Sequence, residues 1–190
     1  MLVPVLGPLW EDRDHRIIPW RPSDEEYAII GQSVPIVCTD LVFVDSLDRF
    51  VLAYRKNACA RGWWWMGGSL KAGMTMEESV GRIMVREIGW VPKDIKLLCV
   101  LQHFWSERGE KPHEFGRHDI MFVHFIKVSE DTLAKIRLDP KEYEPDRGFL
   151  RYDGTQQVRD AVAEVYRLYQ DYVYQKSLRG MIRNFIRKLF

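Results

Sequence analysis

The stretch GGSLKAGMTMEESVGRIMVREIGW, Gly67 to Trp90, constrains the chain more than any other. A glycine pair lets backbone approach a phosphate or a metal closely, because no Cβ stands in the way. Thr75 and Glu78 make a capping box, which predicts a helix starting near Met76, and Gly89 predicts its stop. Helical spacing puts Val80, Ile83, Met84 and Glu87 on or near one face. Glu87 is therefore a carboxylate beside apolar neighbours, which calls for a partner such as a cation. Glu78, Arg82 and Arg86 fall along another stripe, with Glu78 and Arg82 spaced to pair at the surface. This is the layout of a phosphate and metal site with most of its carboxylates missing. The plainer reading is a capped amphipathic helix whose Glu87 pairs with a nearby arginine.

The rest of the chain sets bounds on both readings. With 190 residues, 46% of them hydrophobic, it can bury one sizeable core and carry an appended segment. A net charge of +1 gives no global field for nucleic acid. Cys38, Cys59 and Cys99 form no metal-type spacing and cannot all pair; they read as reduced thiols of a cytoplasmic protein. The start, MLVPVLGPLWEDRD, is broken by Pro4, Gly7 and Pro8 and lacks the basic region of a leader. No apolar run approaches the ~18 residues of a membrane span.

Residues 1–22, rich in proline and charge, read as an irregular N-terminal arm. Ser23 and Glu26 form a second capping box that opens a short helix. VPIVCTDLVFV and RFVLAYRK read as strands about a turn at Asp45–Asp48, and GWWWMGG as a short aromatic strand. IKLLCVLQHFW and HDIMFVHFIKV are further strands joined by a polar loop. The charged loop LDPKEYEPDRG leads to a helical C-terminal third from about Thr155. The expected organisation is an α/β domain over 23–175 and a basic amphipathic helix over 176–190. In that last segment Leu178, Met181, Ile182, Phe185, Ile186, Leu189 and Phe190 recur at helical spacing among Arg179, Arg183, Arg187 and Lys188. Such a face either docks on the domain or a second subunit, or lies in an anionic membrane interface, here the inner face of the membrane, through residues 177–190.

The opening stretch resembles a degenerate Nudix box, the pattern G-x5-E-x7-R-E-U-x-E-E-x-G-U, where U is aliphatic. Counted from Gly68, it keeps Gly68, Arg82, Met84, Glu87 and Gly89, with Trp90 at the final apolar position; Met74, Ile83 and Arg86 replace acids. Retention of the last glutamate alone is similar to the GDP-mannose mannosyl hydrolase branch of the Nudix superfamily. SDEEYAIIGQSVPIVCTDLVFV, VLAYRKN, GWWWMGG and LQHFW have counterparts there, so the resemblance runs from about Ser23 to Asp153. It implies a Nudix-like α/β/α sandwich with a mixed β-sheet, here with an N-terminal arm and a C-terminal helical extension. It also implies a homodimer that hydrolyses a nucleotide sugar with Mg²⁺, water attacking the sugar C1 and releasing a nucleoside diphosphate and free sugar. One Mg²⁺ neutralising a pyrophosphate leaving group requires fewer carboxylates than attack at phosphorus.

By this resemblance Glu87 is a metal ligand and the Gly68 carbonyl a second, while Arg82 orients the site or helps neutralise the leaving group. Asp40 matches a strand aspartate of the family, Arg55 an arginine on the diphosphate, and His103 a histidine near the substrate. Each has a plainer alternative: Asp40 as a strand-edge residue, Arg55 as a solvated strand end, His103 as a histidine satisfied within the sheet. Two departures stand out. Ser69 replaces an arginine, and the loop that supplies a glutamine ligand and a histidine base reads PKEYEP. Without gaps Tyr143 falls at the ligand position and Glu144 at the base position. A carboxylate serves as base in inverting sugar hydrolysis, so Glu144 can do so, and a register slip of one makes Glu142 a ligand. Both read equally as solvated loop acids. The same departures support two other readings, a nucleotide-sugar binding or scaffold module and a pyrophosphohydrolase that splits P–O–P.

Overall fold

A computed structural model describes residues 17, 22–56, 59–91, 93–113 and 115–189, with side chains through 179. Of the arm expected over 1–22, only Ile17 and Pro22 fall within these residues. The elements are α1 (Asp24–Ser33), β1 (Ile36–Val44), β2 (Phe50–Arg55), β3 (Gly62–Trp64), β4 (Met66–Ser69), α2 (Met76–Ile88), β5 (Lys96–Trp105), β6 (Arg117–Lys127), α3 (Glu130–Leu133), β7 (Phe149–Tyr152) and α4 (Asp160–Leu189).

β1 is the hub of the sheet. Its residues are almost all buried because both faces are covered, which is why VPIVCTDLVFV lacks a polar alternation. It pairs in parallel with β6, and antiparallel with β4 near one end and β2 near the other. β5 adds antiparallel to β6, and β3 and β7 both pair with β2, giving a mixed sheet. GWWWMGG is therefore two strands rather than one: β3 joins β2, β4 joins β1, and the buried Trp65 lies between them.

Each face of the sheet carries its own core. On one face Val42, Phe50 and Phe125 pack with Val162, Val165 and Tyr169 of α4. On the other, Leu41, Phe43 and Met66 pack with Val80, Ile83, Met84 and Ile88 of α2. Helices on both faces of a mixed sheet make the expected α/β/α sandwich.

Both capping boxes form. Ser23 accepts from the Glu26 amide and Glu26 from the Ser23 amide, and Thr75 and Glu78 do the same for α2. Gly89 ends α2 at φ 71°, a left-handed value that costs glycine little. In the expected turn, Asp45 Oδ1 accepts from the amides of Leu47 and Arg49.

The region after β6 departs from expectation. A 3₁₀ turn at Pro145–Arg147 falls within the charged loop, α3 and β7 flank that loop on stretches with no expected element, and α4 begins at Asp160 rather than near Thr155. α4 then runs unbroken past 176 to Leu189, so no boundary interrupts the backbone there. The side chains of the amphipathic segment from 180 onward lie outside the described residues. Among the described residues, no helix is long and apolar enough to cross a membrane.

The cap of α2 makes a direct prediction. Thr75→Ala should cost about 1 kcal/mol in urea unfolding, because the amide of Glu78 loses its acceptor.

Candidate functional site

The ends of β1, β2 and β4 meet at a cavity of about 790 Å³. Asp40, Arg55, Gly68, Arg86 and Glu142 all line it. Four elements and a loop thus bring together residues scattered over a hundred positions of sequence.

Asp40 and Gly67 face each other across the β1–β4 pair. A Cβ on Gly67 would fall 1.8 Å from Asp40 Oδ1, so the first glycine of the pair clears space for a carboxyl group. Asp40 is buried, and burial pushes its pKa up to about 8 against the opposing effect of Arg55. The Trp65 indole lies close enough to moderate that rise, although neither Trp65 Nε1 nor Asp40 Oδ2 meets hydrogen-bond geometry. Near neutral pH much of Asp40 therefore carries a proton and can donate a hydrogen bond.

Arg55 lies across the site. Its Nη2 bonds Glu142 Oε2 at 3.2 Å, its guanidinium sits 5.4 Å from the Tyr143 ring centroid, and its buried Nε has no partner. Burial works to lower its pKa, but the facing Tyr143, Glu87, Glu142 and Asp40 outweigh that, so it stays charged. The orphaned polar atoms of Asp40 and Arg55 in the cavity wall suit a polar ligand.

The PKEYEP loop is held by backbone pairing that fixes which way each residue points. Lys56 N donates to the Glu142 carbonyl and Glu144 N to the Tyr54 carbonyl, around a bridge between Arg55 and Tyr143. Glu142 faces the cavity. Tyr143 turns inward, fully buried, and its hydroxyl donates to Glu87 Oε2. Glu144 points to Arg147, 2.5 Å away, and does not line the cavity.

Glu87 is completely buried. Its Oε1 accepts from Arg86 Nη2 at 2.5 Å and its Oε2 from Tyr143. Arg86 also reaches toward Gly68, where a Cβ would lie 3.5 Å from Nη2. The guanidinium thus occupies the space between Gly68 and Glu87. Arg82, one turn earlier, donates to the Ser69 carbonyl at 2.9 Å and ties the glycine turn to α2.

His103 is placed apart from this group. Its ring lies 4.0 Å from the Trp105 ring and packs edge-on to Trp64, outside the cavity lining. Burial holds its pKa below the usual histidine value. A cluster not expected from the sequence lies opposite. Asp119 accepts from Trp105 Nε1 and takes a two-pronged bond from Arg117, all three lining the cavity. The signal was present in HDIMFVHFIKV, where an aspartate opens a largely apolar strand and so demands partners.

No protein-family model matches the chain. Its fold is that of Nudix hydrolases. It superposes on the MutT protein of Methanosarcina mazei Go1 with a TM-score of 0.54 at 18% identity, over 73% of this chain and 95% of that one. For the MutT Nudix hydrolase of Burkholderia pseudomallei the TM-score is 0.55 at 23% identity, over 71% and 98%. For the Ap4A hydrolase of C. elegans in a binary complex it is 0.53 at 11% identity, over 74% and 98%. At these identities the likeness is one of fold.

Nudix hydrolases generally use divalent metal ions, and the resemblance placed Mg²⁺ on Glu87 and the Gly68 carbonyl, with Glu142 a ligand if the loop register slips by one. The arrangement here does not fit that ion. Both Glu87 oxygens are taken, Glu142 is bonded to Arg55, and a guanidinium already stands between Glu87 and Gly68. Among the described residues no three His, Cys, Asp or Glu side chains group as metal ligands.

Two variants test this description. Tyr143→Phe leaves one Glu87 oxygen buried without a donor and should cost about 1–3 kcal/mol in denaturant unfolding. Asp40 carries the pH signature. Unfolded it ionises near 3.8, folded only near about 8, so the folded state binds more protons in between and its stability falls as pH rises through that window. Asp40→Asn removes the titration. Its melting temperature should match wild type near pH 4 and exceed it at pH 9, by an amount on the order of a few kcal/mol in stability.

Proposed function

We propose that this Nudix-fold chain hydrolyses a nucleoside-diphosphate sugar of the GDP-mannose type, with water attacking the sugar C1. The observation that carries the reading is the cavity in which a buried, permanently charged Arg55 lies beside two carboxyl groups, Asp40 and Glu142. Its volume lies within the range usual for small-molecule sites.

In this reading Arg55 faces the diphosphate, where a fixed charge in a dry site neutralises the leaving group without reorganising. Glu142 takes the role that the ungapped alignment gave to Glu144, since Glu142 lines the cavity and Glu144 does not. The Glu142 carboxylate accepts a proton from water as the water oxygen bonds to C1. The C1–O bond breaks with its electron pair on the diphosphate oxygen, giving nucleoside diphosphate and free sugar of inverted configuration. Protonated Asp40 donates to a phosphate or sugar oxygen, where an ionised Asp40 would repel.

A second reading keeps the ligand and removes turnover, making the chain a nucleotide-sugar binding module. The state of Glu87 and Glu144, each engaged by an arginine, favours it.

Phosphorus NMR of the protein with GDP-mannose and other nucleoside-diphosphate sugars separates these readings. Nucleoside diphosphate should appear and slow at least about 100-fold in Glu142→Gln. Nucleoside monophosphate with sugar phosphate would indicate P–O–P cleavage instead. Saturable binding with no product from any sugar nucleotide would leave the binding module.

A further inference from the structure

The Nudix fold implies a divalent cation at the last glutamate of the box, and the residues around Glu87 do not accommodate one. We propose that the Arg86 guanidinium stands in for that cation and binds the ligand's diphosphate directly, so that nucleotide binding in this cavity needs no divalent metal. The inference deepens the proposed function and rests on its assignment of a diphosphate-bearing ligand.

Position carries the first part of the argument. Arg86 lines the cavity and Glu87 does not, although the two are adjacent in sequence. Arg86 Nη2 is bonded to Glu87 Oε1 and lies 3.5 Å from where a Gly68 Cβ would stand, beside the two residues the resemblance assigns to a metal. A guanidinium has five N–H donors, and here Nη2 donates to Glu87. Its side chain is 42% exposed, so the remaining donors face accessible space. Parallel N–H pairs match the oxygens of a phosphate in a way no point charge does.

Charge carries the second part. The cavity lining holds acids as well as bases, and of these Asp119 is bound by Arg117 and Glu142 by Arg55 within the lining itself. Arg86 differs, because its carboxylate lies beneath it, fully buried and also bonded by Tyr143. Its charge is thereby anchored from behind and presented forward. A dication at Glu87 would have to displace both Arg86 and the Tyr143 hydroxyl. It would then sit beside the guanidiniums of Arg82, Arg86 and Arg55, whose like charge repels it. The end of α2 adds to the preference for a basic side chain in its last turn.

The test is calorimetric titration of the full chain with GDP, in EDTA and in Mg²⁺, beside Arg86→Gln and Arg86→Lys. Melting curves establish that each variant is folded. Wild type should bind GDP with affinities that agree within about twofold in the two buffers. Arg86→Gln should lose at least about tenfold in EDTA, and Arg86→Lys should keep part of that loss because charge remains but the planar fork does not. Electron paramagnetic resonance of Mn²⁺ gives a readout without nucleotide: wild type should leave the ion free at millimolar concentration, and Arg86→Glu should bind it. GDP binding that appears only with Mg²⁺, or an unchanged affinity in a folded Arg86→Gln, overturns the inference while leaving the nucleotide-sugar reading intact. Absence of GDP binding in both buffers overturns the two together.

Discussion

A fully buried carboxylate sits at the centre of this protein. Glu87 has no access to water, so its charge is tolerable only because Arg86 and Tyr143 supply donors to both of its oxygens. Those two partners organise their surroundings in turn. Tyr143 can reach Glu87 only if its loop pairs with the end of β2, and that pairing sets Glu142 into the cavity and turns Glu144 out of it. Arg86 can reach Glu87 only by filling the space against Gly68, and this closes the place where a metal would be held. One buried charge therefore fixes the direction of three loop residues and the polarity of the cavity floor.

The sheet performs the complementary task of holding the other wall. β1 pairs with three strands, so Asp40 is fixed by backbone on both sides and cannot retreat from the cavity. The glycine opposite it makes room for the carboxyl group but not for solvent, and that combination raises its pKa. Arg55, at the end of β2, lies among the acidic groups of both sides. The site is thus a set of mutually dependent charges, where removal of one group changes the ionisation of the others.

Much of this was legible in the sequence where the determinant is local. Capping boxes at Ser23 and Thr75 and the stop at Gly89 depend on residues within one turn, and they appear as expected. The need of Glu87 for a cationic partner also followed from helical spacing, and the plainer alternative of a nearby arginine describes the bond now seen. What the sequence hid were choices settled by distant pairing. GWWWMGG splits because two different strands compete for it, and the orientation of PKEYEP is set by β2, far away in the chain. Trp105 of β5 meets Asp119 of β6 only once those two strands pair. Arg86 reads in the sequence as one residue of a surface stripe, since nothing local tells an arginine at a helix end to turn back onto its neighbour.

The central claim is that a fixed guanidinium, rather than a bound metal ion, meets the ligand's diphosphate. Crystals grown with GDP and Mn²⁺, measured for anomalous scattering at the manganese edge, address it directly. The account predicts diphosphate oxygens within hydrogen-bond distance of Arg86, with Glu87 still bonded to Tyr143 and no anomalous peak beside it. A manganese peak between Glu87 and Gly68, with Arg86 swung away, would contradict it.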